Sequence, residues 1–332
     1  MIKVITEIED SQWNDLVNKS AVASYFQTPA CYKFYKTLSF LEPFVYGITD
    51  NDKLLGVIQG YIIADGGKIK RFLSRRAIIP GGALLADDCN KEATKALLKY
   101  LISDLKSKAI YIEIRNYNDY SNFRPEFIES GFKYEEHLNF HVKTLDLESS
   151  LKQLSSTKRR DVKISRKEGA EVVMATNENE IKEYYNLLFS LYKSKVKTPL
   201  FPYEFFKNLF YQEESKFFLV KYAGRILGGS VCTELPGRTL YEWFVCGLDR
   251  EIKNIYPSTL ATWGAIEYAS THNMTKFDMM GAGKPNDGYG VREFKAKFGG
   301  ELLEQGRYIH ICKPIIMYEA GKIGVKILKK LK

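Results

Sequence analysis

The chain has 332 residues, 45% hydrophobic and 27% charged, with a formal net charge of +9. These are globular proportions in a chain too long for one ordinary core, so two domains are expected. No run of about 18 apolar residues occurs, which excludes a membrane-spanning helix. The start, MIKVITEIEDSQW, has acids where a signal peptide needs an apolar core, so the expected location is the cytoplasm. Cys31, Cys89, Cys232, Cys246 and Cys312 are odd in number and lack C-x-x-C spacing, and they read as reduced thiols.

In chain order, helices are predicted around Ser11-Gln12-Trp13, capped by Asp10 or Ser11, and from Pro29 to Leu38 with Pro29 in the first turn. Phe44 to Ile48 and Leu54 to Ile63 form a hairpin across Asp50-Asn51-Asp52. Lys70 to Leu85 gives a strand pair or one bent strand, broken at Ile79-Pro80-Gly81-Gly82. An amphipathic helix follows at Glu92 to Ser107, then a strand at Ala109 to Arg115 and a short helix at Phe123 to Ser130, closed by Gly131. His137 to Leu145 reads as the last strand of this half.

The second half repeats the order. Glu180 to Lys195 is its helical entry. Phe217 to Tyr222 and Ile226 to Glu234 form a hairpin, Thr239 to Gly247 a strand, Pro257 to Asn273 a helix and Lys276 to Met280 a strand. Leu55-Gly56 reappears as Leu227-Gly228, an offset of 172 residues, and the shared element order points to duplication. The expected architecture is two similar α/β units with mainly antiparallel sheets, divided near Asp146 to Leu151.

Two runs are strongly basic. Lys152 to Lys167 holds Lys152, Lys158, Arg159, Arg160, Lys163, Arg166 and Lys167 against Asp161 alone. Lys322 to Lys332 holds five lysines and no acid. Each is either a solvated helix face or a surface for an anionic partner such as RNA, a nucleotide-linked precursor or anionic lipid. The tail, Pro314 to Lys332, is a basic amphipathic helix that either docks back on the first domain or rests on an anionic membrane.

Between Phe277 and Gly300 a short strand opens into a glycine-rich loop and then the basic, aromatic run Arg292-Glu293-Phe294-Lys295-Ala296-Lys297-Phe298. Such a loop with cations just beyond it suits an anionic substrate. It is not a nucleotide fingerprint: Gly281 and Gly283 are followed by Asn286 at the third glycine position, and Tyr289 follows Gly288. His137 and His141 stand four apart on a strand pattern, without the spacing of a zinc site, so no metal is expected. No G-x-S-x-G marks a hydrolase. What remains is transfer chemistry achieved by positioning two large substrates.

The run FDMMGAGKPNDGYGVREFKAKFGG resembles the end of the catalytic region of the Fem family, the peptidoglycan interpeptide-bridge aminoacyltransferases. Leu147 to Val172 resembles that family's polar helix of K-x-R-x-x-I type before a Gly-x-x-Val strand. Tyr25 to Lys36 is similar to its Q-x-x-x-W motif, with Cys31 in place of the aromatic and the lysine at Lys33 or Lys36. The resemblance implies an α/β (α+β) chain of two tandem GNAT-like acyltransferase domains, 1–147 and 148–312, with residues 313–332 as the basic helix. It implies transfer of an amino acid from aminoacyl-tRNA, with no cofactor, to the stem-peptide amine of a lipid-linked or UDP-linked muropeptide, with peripheral contact at the inner membrane face. A GNAT enzyme cradles coenzyme A pyrophosphate in a Q/R-x-x-G-x-G/A turn before its long helix. Here Asp249 to Ser258 and Pro80 to Ala83 both lack that pattern, which disfavours coenzyme A.

The expected roles follow the matched residues. Lys295 is a catalytic or carbonyl-polarising cation and Phe294 places the acceptor or aminoacyl group. Asp278 is a base or orients the loop. Lys36, Arg159, Arg160, Lys163 and Arg292 contact anionic substrate, and Tyr203, Tyr241 and Tyr289 offer hydroxyl contacts. Two competing readings are a GNAT-type N-acyltransferase using acyl-CoA or an acyl carrier on a surface-polysaccharide sugar amine or small amine, and a non-catalytic RNA-binding module.

Overall fold

The computed structural model describes residues 1–66, 74–286, 288, 290–313 and 318. The chain divides into two compact units, Met1–Glu136 with the segment from Gln305 onward, and His137–Glu304.

In the first unit β1 (Ile2–Ile5) precedes α1 (Asp10–Lys19), whose Trp13, Leu16 and Val17 form one buried stripe. The helix is entered at Glu9 without a side-chain cap, so neither Asp10 nor Ser11 plays the expected capping role. α2 (Pro29–Lys36) starts as expected, with Pro29 in its first turn and the Thr28 hydroxyl accepting from Cys31 N–H. β2 (Glu42–Asp50) and β3 (Lys53–Ile63) form the hairpin. Asn51 and Asp52 both take positive φ, the geometry that a two-residue turn needs to match strand twist. β4 (Arg76–Gly81), β5 (Leu84–Leu85), α3 (Lys91–Leu105), β6 (Tyr111–Asn116), α4 (Arg124–Glu129) and β7 (Lys133–Glu135) follow.

The second unit opens with β8 (Leu138–Lys143), α5 (Leu147–Gln153), α6 (Ser156–Lys167), β9 (Glu171–Met174), α7 (Glu178–Leu191) and α8 (Tyr203–Phe210). Then come β10 (Ser215–Tyr222), β11 (Arg225–Leu235), β12 (Thr239–Gly247), α9 (Pro257–Thr271), β13 (Lys276–Asp278), α10 (Gly290–Ala296) and β14 (Glu301–Glu304). The chain returns to the first unit as β15 (Arg307–Ile311).

Among the described residues the first sheet runs β1-β2-β3-β4-β6-β15-β7, with β5 beside β3, and the second runs β14-β8-β13-β12-β11-β10-β9. Each has one parallel pair, β4 with β6 and β12 with β13, and is otherwise antiparallel. The duplication is visible in the hairpins: β3 and β11 are both 11 residues long and start 172 residues apart.

The boundary differs from the expected one. β8, read from sequence as the end of the first half, pairs with β13 and β14 in the second sheet. β15 pairs with β6 and β7 in the first. Each half of the chain thus supplies the next-to-last strand of the other sheet. The divisions at Glu136/His137 and Glu304/Gln305 follow from this exchange and replace 147/148 and 312/313.

The second core collects Phe140 and Val142 of β8, Phe277 of β13, Leu240 of β12 and Leu260, Trp263 and Ile266 of α9. α9 is buried along nearly its whole surface, and a Cβ on Gly264 would lie 2.5 Å from Val172 Cγ1, so only glycine lets this helix approach β9. Apart from Lys313 and Tyr318, the expected tail helix lies outside the described residues. Tyr318 packs edge-on to Tyr111, with ring centroids 5.3 Å apart.

Candidate active site

The parallel ladder of β12 and β13 stops at Tyr241 and Asp278, while β12 runs on to Gly247. Beyond Asp278 the chain turns through Met280 (φ +50°), Gly281 (φ +84°) and Gly283 (φ +78°). This loop is neither a plain surface connection nor an open anion cradle. Its N–H groups are all used from Met279 to Ala282: Met279 donates to Phe140 O, Met280 to Asp278 Oδ1, Gly281 to Asn139 Oδ1 and Ala282 to Leu138 O. Gly283 O accepts from Leu138 N–H.

The remaining carbonyls are held by two cations of α10. Lys295 Nζ donates to Met279 O, to Gly281 O at 2.7 Å and to Met280 O at 3.4 Å. An ammonium has three donors, and here all three face backbone. Arg292 donates through Nε to Ala282 O at 2.8 Å, through Nη1 to Pro285 O at 2.9 Å and through Nη2 to Lys284 O. Arg292 is therefore a half-buried tie across the loop, and Lys295 is 7% exposed. Burial lowers the Lys295 pKa, against the carboxylates of Glu242 and Asp278, which raise it. Glu242 is buried as well. Its burial raises its pKa, against Lys295 and the hydroxyls of Thr262 and Ser230.

Asp278 is completely buried. Its Oδ1 accepts from Asn139 Nδ2 and Met280 N–H, each at 2.8 Å, and its Oδ2 lies 3.1 Å from His141 Nε2. Burial alone would raise its pKa, but His141, Lys276 and Asn139 together hold it below the ordinary carboxylate value. Asn139 is locked, because its Oδ1 accepts from Phe140 and Gly281 N–H and its Nδ2 must then face the carboxylate. Asn139 and His141 were missed in the sequence. The only signal was the alternation Leu138-Asn139-Phe140-His141-Val142, which puts both polar side chains on one face of a strand.

The other expected residues scatter. Phe294 packs on Phe298 with centroids 5.1 Å apart. The Lys158 ammonium lies 4.2 Å above the Phe294 ring and donates to Thr259 Oγ1 at 2.6 Å. Lys158 is buried, and burial lowers its pKa. Within α6, Arg159 donates to Lys152 O, Arg160 approaches Asp161 at 3.5 Å, and Lys163 is exposed. Tyr241 is buried at the last rung of the ladder. Tyr203 donates to Glu178 O at 3.3 Å and lies under Lys182. Lys36 belongs to the first unit, exposed beside the Tyr32 ring at 5.7 Å, and Lys33 is paired with Asp10. Tyr289 lies outside the described residues. Among the described residues no cluster of His, Cys, Asp and Glu could hold a metal, and no helix is long and apolar enough to cross a membrane.

The start of α9 is where a GNAT enzyme would seat pyrophosphate. Here the chain fills it. Tyr256 N–H donates to Ser165 Oγ at 3.0 Å, Pro257 has no N–H, and Ser258 N–H donates to Asp249 Oδ1 at 3.1 Å. A Cβ on Gly247 would stand 2.3 Å from Ser258 N, so strand and helix already touch.

Residues 152–295 match the model of the acetyltransferase (GNAT) domain. No curated protein matches the chain. Among solved structures it is similar to FemX (TM-score 0.73, 16% identity, covering 96% of this chain and 99% of that one). It is also similar to a tandem GNAT protein from the clavulanic acid biosynthesis pathway (TM-score 0.60, 11% identity, 95% and 99% covered). A third is L-PGS from Bacillus licheniformis (TM-score 0.57, 14% identity, 96% and 97% covered).

Proposed function

We propose that this acyltransferase, built on the Fem-like tandem GNAT fold, moves an amino acid from aminoacyl-tRNA to the stem-peptide amine of a peptidoglycan precursor. The observation that carries the choice of donor is the start of α9. The Tyr256 N–H at its cap is taken by Ser165, Pro257 has none, the Ser258 N–H is taken by Asp249, and the Asp249 carboxylate stands where a pyrophosphate would need positive potential. The likeness to FemX agrees with the Fem-type motif from Phe277 to Gly300.

In this reading the exposed face of α6, with Arg159, Arg160 and Lys163, meets phosphates of the tRNA or of the UDP- or lipid-linked muropeptide. Phe294 places the acceptor or aminoacyl group. Lys295 fixes the loop that follows Asp278 and places a buried positive charge there; its three donors go to backbone carbonyls, so it acts on the reacting carbonyl through its field and not through a hydrogen bond. The enzyme works in the cytoplasm, at the inner membrane face when its acceptor is lipid-linked. Thermal-shift titration with a UDP-linked muropeptide, charged tRNA and coenzyme A tests the reading: the first two stabilise the protein and coenzyme A does not. Stabilisation by coenzyme A alone overturns it.

A further inference from the structure

We propose that His141 is the proton acceptor of the transfer reaction, with Asp278 as the residue that positions its ring. The inference rests on the acyl-transfer reading above but not on which donor is used.

The pair sits on neighbouring strands, at the rung where Asp278 of β13 faces His141 of β8. It immediately precedes the loop that Lys295 and Arg292 pin. Asp278 cannot itself exchange a proton with substrate, since it is 0% exposed and both its oxygens are already accepting. His141 can, since its side chain is 11% exposed. Two groups meet Nε2, the ionised Asp278 carboxylate at 3.1 Å and Asn139 Nδ2 at 3.2 Å; the amide is already donating to Asp278 Oδ1, and the full negative charge of the carboxylate favours the ring proton on Nε2. Nδ1 then presents a lone pair, and no described residue donates to it. The charged groups that share the ring's face are Asp278 on β13, Lys276 and Lys143 one step along it, and Glu301 at the paired position on β14.

The step balances without another reagent. The acceptor amine attacks the acyl carbonyl, and an N–C bond forms as the N–H proton passes to Nδ1. The C–O bond to the ribose then breaks, and the imidazolium returns the proton to the leaving oxygen. With a thioester the leaving sulfur takes it instead.

The test uses the full chain, a muropeptide amine as acceptor, and both aminoacyl-tRNA and acyl-CoA as donors. With the donor that turns over, His141→Gln lowers kcat about 10²- to 10³-fold with KM changed less than about twofold, and removes the limb along which the rate rises with pH. Added imidazole restores part of the rate to His141→Gly. Asp278→Asn lowers kcat with KM little changed, and in nitrogen-15 spectra the neutral-ring proton is no longer confined to Nε2, because the carboxylate that selects that tautomer is gone. Nitrogen-15 spectra of the wild-type protein place the neutral-ring proton on Nε2, a readout that does not depend on any variant folding. A folded His141→Gln enzyme with wild-type rate and pH profile, or a ring proton on Nδ1, overturns the proposal. Turnover with acyl-CoA alone removes the tRNA reading and leaves the His141 comparison intact.

Discussion

The Lys295 ammonium donates a 2.7 Å hydrogen bond to the Gly281 carbonyl, and the same nitrogen reaches the carbonyls of Met279 and Met280. A cation that closes a loop in this way is structural and electrostatic at once. Lys295→Ala leaves three carbonyls without their donor and a buried Glu242 without the cation that opposes its desolvation. The expected result is a loss of about 2–4 kcal/mol of unfolding free energy in urea together with loss of transfer. Lys295→Ala with unchanged stability would place the side chain in solvent, against the structure.

Glu113 anchors the other unit. Burial raises its pKa, but Arg115 and Arg307 pull it further the other way, to about 2 from an ordinary 4.5. Its folded value lies below its unfolded one, so its contribution is complete above pH 4.5 and is lost as pH falls toward 2. The loss amounts to about 3 kcal/mol. Urea unfolding of wild type should weaken across that window, and Glu113→Gln should flatten the dependence.

The two copies predict unequal tolerance at equivalent glycines. A Cβ at Gly228 meets the Cys246 carbonyl oxygen at 2.5 Å, whereas one at Gly56 first meets the movable Leu85 Cδ2 at 2.7 Å. Gly228→Ala should cost about 2–3 kcal/mol and Gly56→Ala about 1. Thermal melts of the two variants decide the order.

Much of this fold was legible. The hairpins and α3 declare themselves through local periodicity, which depends only on neighbouring residues; α9 shows in its long helix-compatible run behind Pro257, and the duplication in the 172-residue offset between β3 and β11. The strand exchange was not. His137 to Leu145 reads as a strand whichever sheet it joins, and nothing local says that β8 pairs with β13. At the site, the sequence pointed to Phe294, Lys295 and Asp278 but not to their surroundings. A lysine and an arginine on a short basic helix look solvated until the carbonyls they hold are known. Asn139 and His141 look like the wet face of an antiparallel strand until Asp278 is placed beside them.

RNA binding by α6 has a salt signature. Each phosphate contact removed should lower the slope of log Kobs against log[salt] by about 0.7–0.9. Lys163→Ala, which removes an exposed cation, should do so in filter binding with charged tRNA while leaving stability unchanged.

The most direct measurement is transfer itself. Purified protein is mixed with a pool of radiolabelled aminoacyl-tRNA and a muropeptide bearing a free stem amine, alongside a matched reaction with labelled acyl-CoA. The expected result is label on the muropeptide from aminoacyl-tRNA only, abolished when the tRNA is deacylated beforehand. Label arriving from acyl-CoA, with none from aminoacyl-tRNA, would contradict the account.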